Sequence, residues 1–165
     1  MKENIMKEEL DLSIRDALRM LYRHDKYLID NCSSERGIVF HFGGYLKNIL
    51  NKKDTFKPYN VDYEYNRNMD DPKKLSLSVV IPDLIIHKRG ESYPANLLVV
   101  EFKGWWNNQD HKADKSKIKK FMNDDPYKYE YGLFVVFEKE KAKVEELKIT
   151  KLNNKIKYQW SVWAD

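Results

Sequence analysis

The sequence has little of what several common classes of protein depend on. Its one cysteine, Cys32, excludes an internal disulfide framework and a cysteine-based zinc site. The four histidines lie far apart and show no paired metal-ligand spacing. The chain also has no glycine-rich phosphate loop and no nucleophile elbow. Chemistry based on thiols, on these phosphate loops or on a serine nucleophile therefore finds no support in the residues.

Long apolar segments are absent as well. No run approaches the roughly 18 consecutive apolar residues that a membrane span needs. The first residues lead into charged positions instead of a signal-peptide core. We therefore expect a cytoplasmic protein with no membrane association. Its 165 residues are enough for a single domain over 1–165, and the net charge of +4 is compatible with a polyanionic partner.

The most informative stretch is 76–106. Apolar runs at 81–86 and 97–103 predict two buried strands, joined by turn-forming residues at 88–92. These strands contain Asp83, Glu101 and Lys103. Strand side chains alternate between faces, so Glu101 and Lys103 point the same way, and an antiparallel hairpin brings Asp83 beside them. The pattern predicts three charges on one face of the sheet.

Charges in such an apolar setting need a partner, because an unpaired buried charge is costly. Two carboxylates aimed at one point suit Mg²⁺, with Mn²⁺ as the alternative. Such a site could hydrolyse phosphodiesters, with Lys103 orienting water or stabilising charge on phosphorus. The alternative interpretation is structural. Asp83 would make local hydrogen bonds at a strand end, and Glu101 and Lys103 would form an edge ion pair of about 0.5 kcal/mol.

The same residues resemble a known signature. Pro82-Asp83 followed by Glu101-Phe102-Lys103 is similar to the Pro-Asp and Asp/Glu-x-Lys elements of the PD-(D/E)xK nuclease superfamily, which includes many restriction enzymes and Holliday-junction resolvases. The resemblance implies an α-β-β-β-α-β core. It also implies that Asp83 and Glu101 ligate metal together with the backbone carbonyl of Phe102, and that Lys103 is catalytic.

Two further site residues follow from this resemblance. Many members carry a glutamate on the helix before the sheet, and Glu35 opens such a helix here. Glu35 is equally explained by the helix dipole, which favours an acid in the first turn. The helix after the motif often supplies a lysine or glutamine, for which Lys115 and Lys117 are the two candidates.

A nucleic-acid contact is expected on the same helix. Lys112, Lys115 and Lys119 recur at spacings of three and four and so share a face. Lysines placed beside such a site would hold phosphates without reading sequence. Trp105, directly after the motif, would stack on a base. The alternatives are a solvated lysine face and a tryptophan that covers the core.

The order of predicted elements indicates an α/β fold, with a mixed central β-sheet flanked by helices and two N-terminal helices, like the restriction-endonuclease core. The expected helices cover residues 7–29, the segment from 35 to about 50, 110–122 and 138–151. The expected strands cover 60–67, 76–86, 95–103, Tyr131–Phe137 and, at an edge, 157–163. The strand Tyr131–Phe137 should pair with 97–103, and the lysine-rich helix should form the right-handed crossover between them.

The function expected from these features is a Mg²⁺-dependent nuclease acting on DNA, with RNA as an open alternative. The resemblance implies a role in restriction, defence, recombination or repair. Cutting both strands of a duplex needs two active sites, which favours a homodimer. Two other classes remain open, namely a catalytically inactive nucleic-acid-binding module on a nuclease scaffold and a partner-dependent subunit of a larger defence or repair complex.

Overall fold

The computed structural model describes residues 2–68, 71–75, 78–91, 94–152 and 155–164. Four α-helices are present among them: α1 (Lys2–His24), α2 (Lys26–Asp30), α3 (Glu35–Leu50) and α4 (Lys112–Asn123). The strands are β1 (Asn60–Tyr63), β2 (Arg67–Asn68), β3 (Asp71–Pro72), β4 (Lys74–Leu75), β5 (Ser78–Val79), β6 (Leu84–His87), β7 (Asn96–Gly104), β8 (Tyr131–Phe137), β9 (Ala142–Leu152) and β10 (Lys155–Val162). No helix in the described part of the chain is long and apolar enough to cross a membrane.

The N-terminal region forms two helices where the sequence predicted one over 7–29. The break falls at Asp25, whose backbone (φ −124°, ψ 17°) leaves the helical conformation. Its carboxylate accepts a 2.6 Å hydrogen bond from the hydroxyl of Tyr45 on α3. This contact ties the break between α1 and α2 to the next helix.

The predicted second helix is present as α3 and runs through both of its glycines. A Cβ at Gly43 would lie 2.6 Å from Cε1 of Tyr63. The glycine therefore allows the Tyr63 ring to lie against the helix backbone. A glycine inside a helix costs about 1 kcal/mol, and in return this one allows α3 and β1 to approach closely.

Six strands form one mixed open sheet in the order β1-β6-β7-β8-β9-β10. Strands β7 and β8 are parallel, with Leu98 opposite Tyr131 and Gly104 opposite Phe137, and the other neighbours are antiparallel. Helix α4 connects the two parallel strands. The α/β class, the mixed sheet and the pairing of β7 with β8 are confirmed, and β10 lies at an edge as predicted.

Two predicted strands are shorter than expected. Pairing of β1 stops at Tyr63, and Glu64 has a positive φ of 48°, which turns the chain away from the sheet. The strand predicted at 76–86 joins the sheet only from Leu84. Before it, the pairs β2–β3 and β4–β5 form separate two-stranded ribbons. Residues 76 and 77 lie outside the described residues.

The helix predicted at 138–151 is wrong, because this segment is strand β9. Its glutamates, leucine and lysines have good helix propensity, but β8 offers an edge with which β9 pairs from Phe137–Ala142 to Leu133–Glu146. Val144 packs into one core cluster, while Leu147 packs into the other. Tertiary pairing therefore overrides local propensity in this segment.

The core lies on both faces of the sheet. On one face, Val100 and Phe102 belong to a cluster with residues of α1 and α3. On the other face, Val99 belongs to a cluster with Ile118 and Phe121 of α4. Because strand residues alternate, Glu101 and Lys103 share the α4 face with Val99. This alternation aims both charged side chains toward α4.

Candidate active site

The two motif carboxylates lie beside each other at one end of the β6–β7 hairpin. The register pairs Leu84 with Val100, so Asp83, one residue before β6, lies next to Glu101. The N–H of Phe102 donates a 2.8 Å hydrogen bond to Oδ2 of Asp83. Within one strand residue the N–H and C=O point to the same side, so the Phe102 carbonyl also faces Asp83.

Glu101 is a buried acid with incomplete bonding. Only 1% of the residue is exposed. Its Oε2 lies 2.5 Å from Nζ of Lys117, but its Oε1 is buried and has no hydrogen-bond partner among the described residues. Burial, followed by the neighbouring charge of Asp83, raises the pKa of Glu101 well above its usual value, and Lys117 offsets only part of this.

Burial also raises the pKa of Asp83. The hydrogen bond from Phe102 and the charges of Lys117 and Lys103 act in the opposite direction without cancelling it. Two adjacent acids that both resist ionisation form a site where a further positive charge would be favourable.

Lys103 extends from the same face of β7. Its Nζ lies 3.2 Å from Oδ2 of Asp114 on α4. Burial alone would lower the pKa of Lys103, but the hydrogen bond to Asp114 and the charges of Asp114, Glu35 and Asp83 raise it on balance. The lysine is therefore a firmly protonated cation. The alternative in which Glu101 and Lys103 pair with each other is not seen, since each pairs with a residue of α4.

The structure selects Lys117 from the two lysines left open by the sequence. Besides Glu101, its Nζ contacts the carbonyl oxygen of Ile81 at 3.2 Å. Asp114 and Lys117 precede the buried Ile118 and Phe121 of α4 by four residues each, so both lie on the core-facing side of the helix. This periodicity is the sequence signal that identifies them, and Asp114 was missed without it.

Glu35 lies at the same end of the sheet, in the first turn of α3. Its Oε1 accepts hydrogen bonds from the N–H of Gly104 at 2.7 Å and from Nδ2 of Asn107 at 3.0 Å. It also contributes to the raised pKa of Lys103. These contacts go beyond the helix-dipole explanation, because they tie α3 to the end of β7 next to the motif lysine.

Three of these residues border a cleft of about 410 Å³ between the start of α3 and the ends of β1 and β7, whereas Glu101 and Lys117 do not line it. Asp83, Lys103 and Glu35 supply its charged wall. The remaining lining residues are mainly aromatic, apolar or paired charges: Arg36, Val39, Phe40, Tyr63, Glu64 and Ile81. The cleft gives solvent access to the candidate site.

The predicted nucleic-acid contacts lie elsewhere on α4 and beside it. Lys115 pairs with Glu145 of β9 at 2.6 Å, and Lys119 lies 3.7 Å from the ring centroid of Tyr158 on β10. Lys112 is exposed. Trp105 is partly exposed, and its Nε1 donates to the carbonyl of Ile29 at 3.2 Å. Lys115 and Lys119 therefore lie toward the β9–β10 hairpin. The residues that line the cleft do not include Lys112, Lys115, Lys119 or Trp105.

Divalent-cation binding can be tested against these donors. Among the described residues, no group of three or more histidine, cysteine, aspartate or glutamate side chains is placed to hold a metal ion. Asp83 and Glu101, with the Phe102 carbonyl on their side, fit instead a cation that takes two carboxylates and retains several waters. The unpartnered Oε1 of Glu101 is the observation that supports this fit.

Comparison with protein-family models, with curated proteins and with solved structures gives no match to this chain.

Proposed function

We propose that this protein is a metal-dependent nuclease that hydrolyses phosphodiester bonds in DNA. The observation that carries the proposal is the pair of adjacent carboxylates, Asp83 and Glu101, one of which is almost fully buried with an unpartnered oxygen. Native proteins rarely leave such an atom without a role. A divalent cation, Mg²⁺ or Mn²⁺, is the ligand that would complete its bonding.

The arrangement of elements supports a restriction-endonuclease-like core as the finer description of the fold. Along the chain, α3, β1, β6, β7, α4 and β8 follow in that order. This is the α-β-β-β-α-β order that the motif resemblance implies. Asp83 directly precedes β6, Glu101 lies on β7, and α4 packs on the face to which the Glu101 side chain points.

The roles of the residues follow from their positions. A bound divalent cation would neutralise charge on the scissile phosphate and lower the pKa of a coordinated water. Lys103, protonated and lining the cleft, would contact the phosphate oxygens and stabilise charge that develops there. Glu35 would hold the end of β7 through Gly104 and so keep Lys103 in place. Asp114 would orient the same lysine.

The test combines metal binding with cleavage. Calorimetric titration with Mn²⁺ should show binding to the wild type that is lost in Asp83→Asn and Glu101→Gln. Both variants should also lose cleavage of plasmid, single-stranded and branched DNA. Glu145→Gln is the matched control, because Glu145 is also a buried acid paired with a lysine of α4 but lies on β9, where that lysine is Lys115 and not Lys117. A wild type that binds no Mn²⁺, with or without DNA, would refute the nuclease proposal.

A second candidate is a binding module without turnover, and one observation favours it. Lys117 already neutralises Glu101 at 2.5 Å, as a cation would. Under this alternative the wild type binds DNA without cutting it. Lys117→Met, which removes the cation beside Glu101, would not give Mn²⁺-dependent cleavage either. Cutting both strands would need a second active site, and sedimentation with duplex DNA would show whether a homodimer supplies it.

A further inference from the structure

An exposed pair of aromatic rings lies at the mouth of the candidate active site. Phe40 of α3 and Tyr63 at the end of β1 have ring centroids 5.4 Å apart and an interplanar angle of 56°. Phe40 is 58% exposed and Tyr63 is 37% exposed. Both line the cleft that Asp83 and Lys103 line. Single exposed apolar side chains are ordinary, but two large rings clustered at the candidate site mark a surface for a ligand.

A glycine of helix α3 fixes the position of the Tyr63 ring. Gly43 of α3 leaves the space that the Tyr63 ring fills, and a Cβ there would lie 2.6 Å from Cε1 and 2.9 Å from Cδ1 of Tyr63. A glycine within a helix is unfavourable, yet here it allows an exposed ring to lie against the backbone. The ring is therefore held in place before any ligand arrives.

Two cations lie beside the rings, together with the carboxylates of Glu35, Glu64 and Asp83, which line the same cleft. Arg36 lines the cleft together with Lys103. Its Nε pairs with Glu64 at 2.6 Å, but its side chain is 82% exposed. Exposed ion pairs of this kind are weak, so Arg36 can exchange Glu64 for a phosphate at little cost. The cleft thus offers aromatic faces and two cations, which are the features that bind single-stranded nucleic acid, next to its three acids.

We infer that Phe40 and Tyr63 form a stacking platform for an unpaired nucleotide next to the scissile phosphate, so that the substrate is single-stranded, frayed or branched DNA. The inference rests on the proposed function and narrows its substrate. In a continuous duplex both faces of each base are covered by its neighbours. An aromatic ring can therefore stack only on a base that has left the duplex.

Binding without metal tests the platform separately from catalysis. Fluorescence anisotropy in EDTA, at one fixed salt concentration, would compare labelled oligo(dT) with a blunt duplex of equal length. The wild type should bind oligo(dT) more tightly. Phe40→Ala should weaken that binding by about five-fold or more, the low end for loss of one stacked aromatic. Tyr27→Ala is the matched control, since Tyr27 is 74% exposed and does not line the cleft.

Three further variants separate stacking from general apolar contact and from misfolding. Phe40→Trp keeps a ring and should retain binding, whereas Phe40→Leu should bind like Phe40→Ala. Gly43→Ala should displace the Tyr63 ring and weaken oligo(dT) binding while leaving duplex binding unchanged. Because Phe40 is more than half exposed, its variants should melt at the wild-type temperature, which makes their affinities interpretable.

The outcomes distinguish this inference from the proposed function. Equal affinity for both DNAs, or unchanged oligo(dT) binding by Phe40→Ala, would overturn the platform even if the enzyme cuts DNA. Phe40-dependent oligo(dT) binding without cleavage in Mn²⁺ would support the platform and refute the nuclease. If no DNA binds and the rings instead cover a protein partner, both fail.

Discussion

Replacing Glu101 with glutamine should stabilise the metal-free protein at neutral pH. Burial and Asp83 raise the pKa of Glu101, so its ionisation costs more in the folded protein than in the unfolded chain. The stability that its neutral form provides is complete below the usual pKa of 4.5 and is lost as the pH rises toward the raised value. The variant carries no such charge, so its advantage should be absent at pH 4 and grow above that pH.

The magnitude follows from the contacts of the carboxylate. A buried polar atom without a partner costs about 1–3 kcal/mol, and here Oε1 of Glu101 is such an atom. Glutamine removes the charge but keeps a polar group at the site, so we expect the low end, about 1 kcal/mol. For a chain of this size that corresponds to a rise of roughly 2–4 °C in Tm. Circular-dichroism melts in EDTA from pH 4 to pH 8 would measure it.

Glu145 of strand β9 also pairs with a lysine of α4 and provides a control of opposite sign. Burial raises its pKa, but hydrogen bonds from Lys115 and Lys143 outweigh burial and lower the pKa overall. Its ionised form therefore contributes stability above the usual pKa of 4.5, and this is lost as the pH falls. Glu145→Gln should thus destabilise the protein at pH 7, by about 1–2 kcal/mol for loss of charge-assisted hydrogen bonds.

The comparison has a clear refuting result. If Glu101→Gln melts below the wild type at pH 8 in EDTA, then the ion pair with Lys117 stabilises the metal-free protein. Glu101 would in that case be an ordinary structural residue. The unpartnered Oε1 of Glu101 would then no longer support a metal site, whatever the behaviour of Glu145→Gln.

Three other predictions follow from the same geometry. Mn²⁺ at about 100 times its Kd should stabilise the wild type by about 2.7 kcal/mol. The stabilisation should increase as the pH rises, because protons compete with Mn²⁺ for acids whose pKa is raised. Asp83→Asn should abolish this gain in calorimetric melts. Lys103→Met should keep Mn²⁺ binding but lose cleavage by about 100-fold, whereas an equal loss of both would contradict its role. Gly132→Ala should cost about 1–3 kcal/mol in urea melts, since its Cβ would lie 2.5 Å from Ile118, while Gly44→Ala, with open space, should not destabilise.

Much of the sheet was predictable because its central strands are short apolar runs bounded by turns. Leu84 to His87, Asn96 to Gly104 and Tyr131 to Phe137 carry this pattern, and alternation alone placed Glu101 and Lys103 on one face. The adjacency of Asp83 followed from the antiparallel hairpin. Local pattern was sufficient where the strand is buried on both faces.

The rest depended on long-range contacts that a local pattern does not contain. The residues of strand β9 favour a helix by local propensity, and only pairing with β8 makes them a strand. Glu145 of this strand faces Lys115 only in the folded chain. The short ribbons between Arg67 and Val79 carry no strong periodicity. The sequence does favour Lys117 over Lys115, because Lys117 lies four residues before the buried Phe121 and so shares the buried side of the helix.

The topology of the sheet also sets the order in which the site can assemble. Residues 88–95 separate strands β6 and β7 along the chain, whereas residues 105–130, which include helix α4, separate β7 from β8. Local hairpins close in microseconds, and parallel pairing with high sequence separation is slower. Asp83 and Glu101 are therefore expected to meet before Lys117 arrives. Docking of α4 is then both a packing step and the step that relieves the repulsion between two acids, which links the kinetics of folding to the charge of the site.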